Sequence, residues 1–261
     1  MTRPRFVSLD HDDRIGVVTL QRPEAGNAIS GAVADELAAV FRSVSAEEDI
    51  WVVVLAAAGD KAFSVGADLK ERASFSDADF HANRRQVREM FAALRAVPQP
   101  TIASIFGFAL GGGFELALAC DLVVAAEGTE VGLPEARVGL LPAGGGTQLL
   151  PRSIGASRAK ELIFTGNRVS AERAAELGLV TRVVGREDLR AATMTLANDI
   201  CRSSPVAVRA AKEAIDAALG APIEDGIAIE HGAWSIVISS EDRSEGIAAF
   251  NDKRAARWRN R

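Results

Sequence analysis

Two glutamates stand where a carboxyl group could carry out acid–base chemistry. Glu115 follows the three glycines at 111–113, and Glu135 follows Pro134, a residue type that favours the first position of a helix. Either carboxylate could simply complement the dipole of its helix, and for each glutamate alone this structural role is the preferred interpretation. As a pair beside a glycine-rich turn, they instead indicate an acid and a base that act on a small molecule.

The glycines before Glu115 predict a helix start whose backbone comes close to a ligand. Amides at such a start are free to donate hydrogen bonds, and the helix dipole favours negative charge there. Residues 63–71 also pass from a glycine-containing loop into a helical pattern, and they could supply a second amide donor. For both segments, an ordinary tight turn or helix start is the alternative interpretation.

The chain carries neither of the common glycine motifs for phosphate. No G-x-G-x-x-G fits the segment before Glu115, and no G-x-x-x-x-G-K-[ST] occurs in the sequence. A dinucleotide-binding loop and a P-loop are therefore not expected. The ligand that best suits the amides is a carbonyl oxygen that becomes negatively charged during a reaction.

The composition narrows the class of protein further. The 261 residues fit one large domain or a domain with an appendage, and 30 basic against 35 acidic residues give a net charge of −5. That charge argues against nucleic acid or an anionic membrane as the main partner. Two cysteines and three scattered histidines predict neither a disulfide framework nor a metal site, and the lack of tyrosine excludes a phenolic acid or base.

No segment of the sequence predicts export or membrane insertion. The N-terminal residues lack the apolar run of a secretory signal and soon become acidic. The most apolar window, residues 101–120, contains Glu115 and four glycines, so a membrane-spanning helix is not expected. We therefore predict a cytoplasmic protein.

Strands and helices alternate along the part of the chain that carries these residues. Alternating apolar residues predict a hairpin over residues 6–20, and Ser30 is suited to cap a helix that reaches residue 44. The remaining predicted elements are strands at 51–55, 101–106 and 122–126 and helices around 87–94 and 114–120. Such alternation predicts an α/β fold with much parallel strand pairing. From about residue 187 onward, helical spacing of apolar residues dominates.

Taken together, these segments resemble the enoyl-CoA hydratase/isomerase family, also called the crotonase family, over nearly the whole chain. Each motif is modest alone, but their order and spacing are specific. They occupy residues 22–28, 66–70, 109–115, 133–135, 142–148, 159–166 and 245–254. The resemblance implies an α/β fold, with a crotonase-like spiral of ββα units over residues 1–200 and a helical oligomerisation region over 201–261. It also implies a homotrimer or a dimer of trimers.

The resemblance further implies roles for individual residues. The backbone amides of Ala67 and Gly112 would form an oxyanion hole for the carbonyl of a CoA thioester. Glu115 and Glu135, 135 − 115 = 20 residues apart, match the two glutamates of the hydratases, whereas the isomerases typically keep only the second. Residues 75–88 should border the acyl pocket. The residues implied to contact the substrate or its CoA moiety are Ala28, Ala67, Asp68, Leu69, Lys70, Gly112, Trp234, Phe250 and Lys253, the last three from an adjacent subunit.

On this basis we expect a hydratase that adds water across the C2=C3 double bond of a 2-enoyl-CoA thioester. Glu115 would take a proton from the water, and Glu135 would deliver a proton to C2. No cofactor or metal is expected, because CoA is part of the substrate. Alternatives with the same fold are an enoyl-CoA isomerase, a decarboxylase, a hydrolase and a methylglutaconyl-CoA hydratase. Residues 67–72 of this chain resemble the family branch that hydrates methylglutaconyl-CoA. A non-catalytic acyl-CoA- or RNA-binding protein is the alternative of another class.

Overall fold

The chain opens with the predicted hairpin. In the computed structural model, which describes residues 5–261, strand β1 (Val7–Asp12) pairs antiparallel with β2 (Ile15–Leu20). Asp13 in the turn has a positive φ of 51°, a conformation that aspartate tolerates better than most residues. β2 pairs with a further strand at its other edge, and it is almost entirely buried because its side chains enter apolar cores on both faces of the sheet.

Ten strands within residues 5–261 form two sheets. After the hairpin come β3 (Val52–Ala57), β4 (Ala62–Ser64), β5 (Thr101–Ile105), β6 (Phe108–Leu110), β7 (Leu122–Ala126), β8 (Glu130–Gly132), β9 (Arg168–Ser170) and β10 (Arg182–Val184). The larger sheet has the order β1-β2-β3-β5-β7-β10 and is parallel apart from the hairpin. The smaller sheet has the order β4-β6-β8-β9 and is antiparallel only between β8 and β9.

Successive strands alternate between the two sheets, so the chain winds as a spiral. β3, β5 and β7 join the larger sheet, and the strands that follow them, β4, β6 and β8, join the smaller one. Crossover connections that contain helices return the chain to each next parallel strand. This topology confirms the predicted crotonase-like α/β spiral. The strands of the smaller sheet have only three residues each, too few for a sequence pattern to reveal them.

The described chain contains eleven α-helices and two 3₁₀ helices. The α-helices are α1 (Gly31–Ser45), α2 (Leu69–Arg72), α3 (Asp77–Arg95), α4 (Gly112–Leu118), α5 (Gly146–Ile154), α6 (Ala156–Thr165), α7 (Ala171–Glu176), α8 (Leu189–Cys201), α9 (Pro205–Ala218), α10 (Ile223–Ile238) and α11 (Glu241–Asn251). The 3₁₀ helices span Pro23–Ala25 and Pro134–Val138.

Side-chain caps mark the starts of α1 and α3. The Ser30 hydroxyl accepts a hydrogen bond from Val33 N at 3.3 Å, which confirms the predicted cap of α1. Ser76 and Asp79 form a capping box at the start of α3, so this helix begins well before the predicted segment at 87–94. α4 begins at Gly112 rather than at residue 114.

Two apolar cores hold the sheets and helices together. The first includes Phe41 of α1 and Phe91 of α3, and the second places Leu196 of α8 against Val54 and Ile102 of the larger sheet. Beyond β10 the described chain is helical, as predicted. The division between residues 200 and 201 stays a prediction. None of the helices in residues 5–261 has both the length and the apolar character needed to cross a membrane.

Candidate active site

A cavity of about 630 Å³ lies between α2, α3, α4 and the 3₁₀ helix Pro134–Val138. Its volume is within the usual range for small-molecule sites. Ala67, Gly112, Glu115 and Glu135 all line this cavity. The structure therefore brings together the four residues for which the sequence analysis predicts chemical roles.

The conformation of Ala67 leaves its amide free. Ala67 forms a parallel bridge with Ile29, in which Ile29 N donates to Gly66 O at 2.8 Å and Asp68 N donates to Ile29 O at 3.1 Å. In such a bridge the amide of the central residue points away from its partner. Across residues 5–261, Ala67 N–H has no protein acceptor.

Gly66 allows the loop of Ala67 to contact the start of α4. Its φ is +88°, and a β-carbon at this position would lie 2.7 Å from Leu110 O and 3.0 Å from Gly112 N. Gly112 is the first residue of α4, where an amide has no carbonyl one turn earlier. In the described part of the chain its N–H also has no protein acceptor. Two free amides thus occupy adjoining segments of the cavity wall.

Glu115 is held by a second glycine run. Its side chain is only 3% exposed, and Oε1 accepts hydrogen bonds from Gly144 N at 2.7 Å and Gly146 N at 2.8 Å. Burial raises the pKa of Glu115, and the bonds from the amides of Gly146 and Gly144 oppose that rise. The carboxyl group is consequently fixed in orientation while it remains able to titrate.

Glu135 differs from Glu115 in its hydrogen bonding. Pro134 occupies the first turn as predicted, although the helix is of the 3₁₀ type. Glu135 Oε2 is buried and has no hydrogen-bond partner among residues 5–261. Burial, with the nearby charge of Glu115 adding to it, raises the pKa of Glu135 to about 7. This carboxyl group can therefore be protonated near neutral pH and donate a proton.

The three residues after Ala67 have different surroundings, and only the first of them, Asp68, is a helix cap. Asp68 caps α2 by accepting from Lys70 N and Glu71 N, both at 3.1 Å, and it pairs with Arg22 Nη1 at 2.6 Å. Although burial opposes the change, the hydrogen bond and charge of Arg22 hold the pKa of Asp68 below its ordinary value. Leu69 lines the cavity, whereas Lys70 is exposed on its outer side.

The remaining predicted substrate contacts lie away from this cavity in the same chain. Ala28 is buried, and its carbonyl accepts from Arg22 Nη1 at 3.3 Å. Trp234 of α10 and Phe250 of α11 are exposed, the latter by 83%, and Lys253 follows α11. These three do not line the cavity. Their predicted contact with CoA on an adjacent subunit stays a prediction.

Several cavity residues have no predicted role in the sequence analysis. Phe80, Asn83, Arg84 and Val87 line the wall formed by α3, within the segment 75–88 that was expected to border the acyl pocket. Their spacing of three to four residues places them on one helix face, which is the signal that could have identified them. Arg72 at the end of α2 also lines the cavity.

A larger cleft of about 1040 Å³ lies elsewhere, between α5, α8 and α9. Its central charged groups already satisfy each other, because Lys212 Nζ lies 2.8 Å from Asp121 Oδ2. It contains neither of the free amides described above. Within residues 5–261, no three His, Cys, Asp or Glu side chains are grouped as metal ligands would be. The smaller cavity is therefore the candidate active site.

The spiral topology and this cavity together define an enzyme of the crotonase fold. The sequence profile of the family described as enoyl-CoA hydratase/isomerase matches residues 10–261. The chain belongs to that family.

Known relatives agree with this assignment over almost the entire chain. YngF of Bacillus subtilis (strain 168) is 43% identical over 245 residues, which cover 94% of each protein. The mitochondrial enoyl-CoA hydratase domain-containing protein 2 of Mus musculus is 42% identical over 92% of this chain and 83% of its own. A crystal structure of enoyl-CoA hydratase from Bacillus anthracis superposes with a TM-score of 0.96 at 40% identity, covering 98% of this chain and all of the other.

Proposed function

We propose that the protein hydrates 2-enoyl-CoA thioesters in the cavity between α2, α3 and α4. One observation carries the proposal. The cavity holds two backbone amides without an acceptor among residues 5–261, those of Ala67 and Gly112, together with two carboxyl groups whose pKa values are raised. The amides suit a thioester oxygen that gains charge, and the carboxyl groups suit the two proton transfers that hydration needs.

The amides would stabilise the enolate intermediate. When water attacks C3, the electrons of the double bond move toward the thioester, and negative charge collects on its oxygen. Two N–H groups to which the described chain offers no acceptor can bind that oxygen without reorganisation. One such donor contributes about 3–4 kcal/mol to the stability of the transition state.

The two glutamates would divide the proton transfers. Glu115, oriented by Gly144 and Gly146, takes a proton from water as the water oxygen bonds to C3. Glu135, protonated because of its raised pKa, delivers a proton to C2 and closes the reaction. The product gains one molecule of water, and proton exchange between the two carboxyl groups and solvent restores the starting state. Acid–base assistance of this kind contributes about 10²–10⁴-fold in rate.

An enoyl-CoA isomerase is the second candidate. Isomerisation moves one proton between two carbons, and a single carboxyl group such as Glu135 can carry it. The placement of Glu115 in the same cavity favours hydration, since isomerisation has no role for a second, water-activating group. A decarboxylase, a hydrolase and a methylglutaconyl-CoA hydratase would use the same amides and differ in products.

The proposal includes no metal or redox cofactor, because every step is a proton transfer or an addition of water. CoA would contact Ala28 and residues 67–70 on one subunit and Trp234, Phe250 and Lys253 of an adjacent one. The exposed apolar residues of α10 support assembly into a homotrimer or a dimer of trimers, because α10 buries none of its residues within the described chain. With a net charge of −5, neither nucleic acid nor an anionic membrane is proposed as a partner.

The test is to mix the purified protein with trans-2-enoyl-CoA thioesters of several chain lengths and to follow the loss of their conjugated ultraviolet absorbance. Mass spectrometry of the products then separates hydration, which adds one water, from isomerisation, which leaves the mass unchanged. Unchanged absorbance with every substrate would contradict the proposed activity.

A further inference from the structure

Two arginines on neighbouring helices belong to the cavity wall. Arg72 is the last residue of α2 and Arg84 lies on α3, and both line the cavity wall. Within residues 5–261, no carboxylate lies within ion-pair distance of either guanidinium group. Burial and the like charge of Arg84 lower the pKa of Arg72, while Glu71 opposes the change. Within the described residues, neither guanidinium group therefore has a carboxylate in direct contact, and the charges of Glu71 and Glu115 act on them only at longer range.

Asn83 orients one of these arginines and has a buried donor of its own without an acceptor among the described residues. Its Oδ1 accepts hydrogen bonds from Arg72 Nε at 3.2 Å and Nη2 at 3.0 Å. Because a guanidinium group only donates, these bonds identify the oxygen of the Asn83 amide and leave its nitrogen on the other side. Asn83 is 3% exposed, and its Nδ2 is buried with no partner in the described chain. A buried donor without an acceptor is unfavourable unless a ligand supplies one.

The nearby acidic side chains are engaged elsewhere. Each accepts hydrogen bonds from other groups, although the charge of Glu71 still acts on Arg72 and that of Glu115 on Arg84. Glu71 accepts from Gly31 N, Asp68 from Arg22, Asp79 from Ser76, and Glu115 from Gly144 and Gly146. The described part of the chain therefore gives neither Arg72 nor Arg84 a direct carboxylate partner.

We infer that Arg72, Asn83 and Arg84 bind a carboxylate at the far end of the acyl group, so that the preferred substrate is a short 2-enoyl-CoA with a second, free carboxylate. The inference rests on the proposed hydratase function and names its substrate class. Arginine suits this task because its planar group donates two parallel hydrogen bonds to a carboxylate.

The length of the acyl group follows from the elements that separate the amides from the arginines. α2 has four residues, which span about 6 Å at the usual helical rise. It joins the loop of Ala67 to Arg72, so only a short chain separates a thioester at the amides from a carboxylate at the arginines. Apolar side chains of Leu69, Phe80 and Val87 line the same cavity.

The same positive charge could instead meet the phosphates of CoA, which are also anions. The two possibilities differ in which ligands they affect. A site for the acyl carboxylate distinguishes acyl groups that are alike except for that charge. A phosphate site would strengthen the binding of free CoA and of every acyl-CoA by the same factor.

The experiment compares binding of two saturated, unreactive thioesters, glutaryl-CoA and pentanoyl-CoA, together with free CoA, by isothermal titration calorimetry. We expect the wild-type protein to bind glutaryl-CoA about tenfold or more tightly than pentanoyl-CoA. Arg72→Met should bind glutaryl-CoA and pentanoyl-CoA with affinities within about threefold of each other, whereas Arg72→Lys should keep part of the wild-type preference for glutaryl-CoA. The matched control is Arg85→Met, which alters an exposed arginine of α3 outside the cavity and should keep the wild-type ratio.

Turnover separates a failure of this inference from a failure of the hydratase assignment. The specificity constants for glutaconyl-CoA and trans-2-pentenoyl-CoA should show the same preference in the wild-type protein. Hydration of both at similar rates, with equal binding of the saturated pair, overturns the inference and leaves the proposed activity intact. Preferential binding of glutaryl-CoA without any hydration supports the site and overturns the activity. An equal loss of affinity for all three binding ligands in Arg72→Met assigns Arg72 to the CoA phosphates and also overturns the inference.

Discussion

The carboxyl group of Glu135 lies directly against the α-carbon of Gly111. A β-carbon at Gly111 would stand 2.9 Å from Glu135 Oε1, closer than nonbonded contacts allow. Gly111 also has a φ of 53° and a ψ of −129°, a conformation available essentially to glycine alone. Since Gly111 immediately precedes Gly112, the glycine run positions a free amide and a carboxyl group at the same time.

Gly111→Ala should therefore reduce activity strongly. The added methyl group would displace Glu135 and shift the start of α4, and we expect a loss of about 100-fold or more in kcat with about 1–3 kcal/mol lost from the free energy of unfolding. Gly128→Ala is the matched control, because Gly128 also has a positive φ, 73°, but no atom of the described residues lies within 4 Å of an added β-carbon. Urea unfolding and steady-state kinetics measure both. Equal kinetic effects in the two variants would contradict the proposed role of the contact.

Substitution of each glutamate by glutamine should remove a different proton transfer of the hydration reaction. Glu115→Gln and Glu135→Gln should each lower kcat for hydration by about 10²–10⁴-fold, since each removes one proton transfer. Isomerisation, assayed with a 3-enoyl-CoA, would be largely spared in Glu115→Gln if the protein were an isomerase. The exposed Glu127 provides the control Glu127→Gln. Full hydratase activity in Glu115→Gln would refute the water-activating role.

The raised pKa of Glu135 predicts how activity depends on pH. Burial, aided by the charge of Glu115, raises this pKa to about 7. Hydration requires the protonated form of Glu135, so kcat/KM for hydration should fall as the pH rises through about 7. A profile that rises through neutral pH without this decline would argue against Glu135 as the proton donor.

The raised pKa of Glu135 also makes the free energy of unfolding depend on pH. Its ordinary value is 4.5, so between about pH 4.5 and pH 7 the folded protein retains a proton that the unfolded chain releases. The contribution of Glu135 to the free energy of unfolding is therefore full below that range and is lost as the pH rises through about 7. Glu135→Gln, which cannot titrate, should flatten this part of the decline in urea unfolding experiments, whereas Glu127→Gln should reproduce the wild-type slope.

We expect Asp68 to stabilise the fold rather than to take part in the reaction. Its carboxylate caps α2 and pairs with Arg22, and both groups are largely buried. Asp68→Ala should cost about 2–4 kcal/mol of the free energy of unfolding, because it removes a cap and leaves Arg22 without its partner. Asp79→Ala, which removes part of an exposed capping box at α3, should cost only about 1 kcal/mol. Thermal or urea unfolding of the two variants tests the difference in size.

The exposed face of α10 predicts self-association. Ile223, Ile227 and Trp234 are all more than half exposed in the single chain, and burying such side chains stabilises a subunit interface. Light scattering after size-exclusion chromatography should give a trimer or a multiple of it, and Ile227→Glu should shift the protein toward monomer. Glu224→Gln on the same helix is the control. A monomeric wild-type protein would contradict the proposed assembly and the CoA contacts from an adjacent subunit.

Local sequence patterns were sufficient for the elements that local forces decide. Ser30 caps α1 because its hydroxyl reaches an amide three residues away, and the apolar run of β3 indicates a strand buried on both faces. The start of α3 was missed, although Ser76 and Asp79 form a capping box that local reasoning could have found.

What the amino-acid sequence determined by itself was the alternation of strands and helices that forms most of the larger sheet, the motifs of the family and the identity of the residues that could react. Only the tertiary structure decided that Glu115 is held by Gly144 and Gly146, 29 and 31 residues away. It also decided that Glu135 lies against Gly111, without a hydrogen-bond partner for Oε2 among the described residues. The contact between Arg72 and Asn83 in the cavity depends on it as well. The physical reason is that caps and periodicity act over a few residues. Proximity and burial, which set the two pKa values, depend on how distant segments pack.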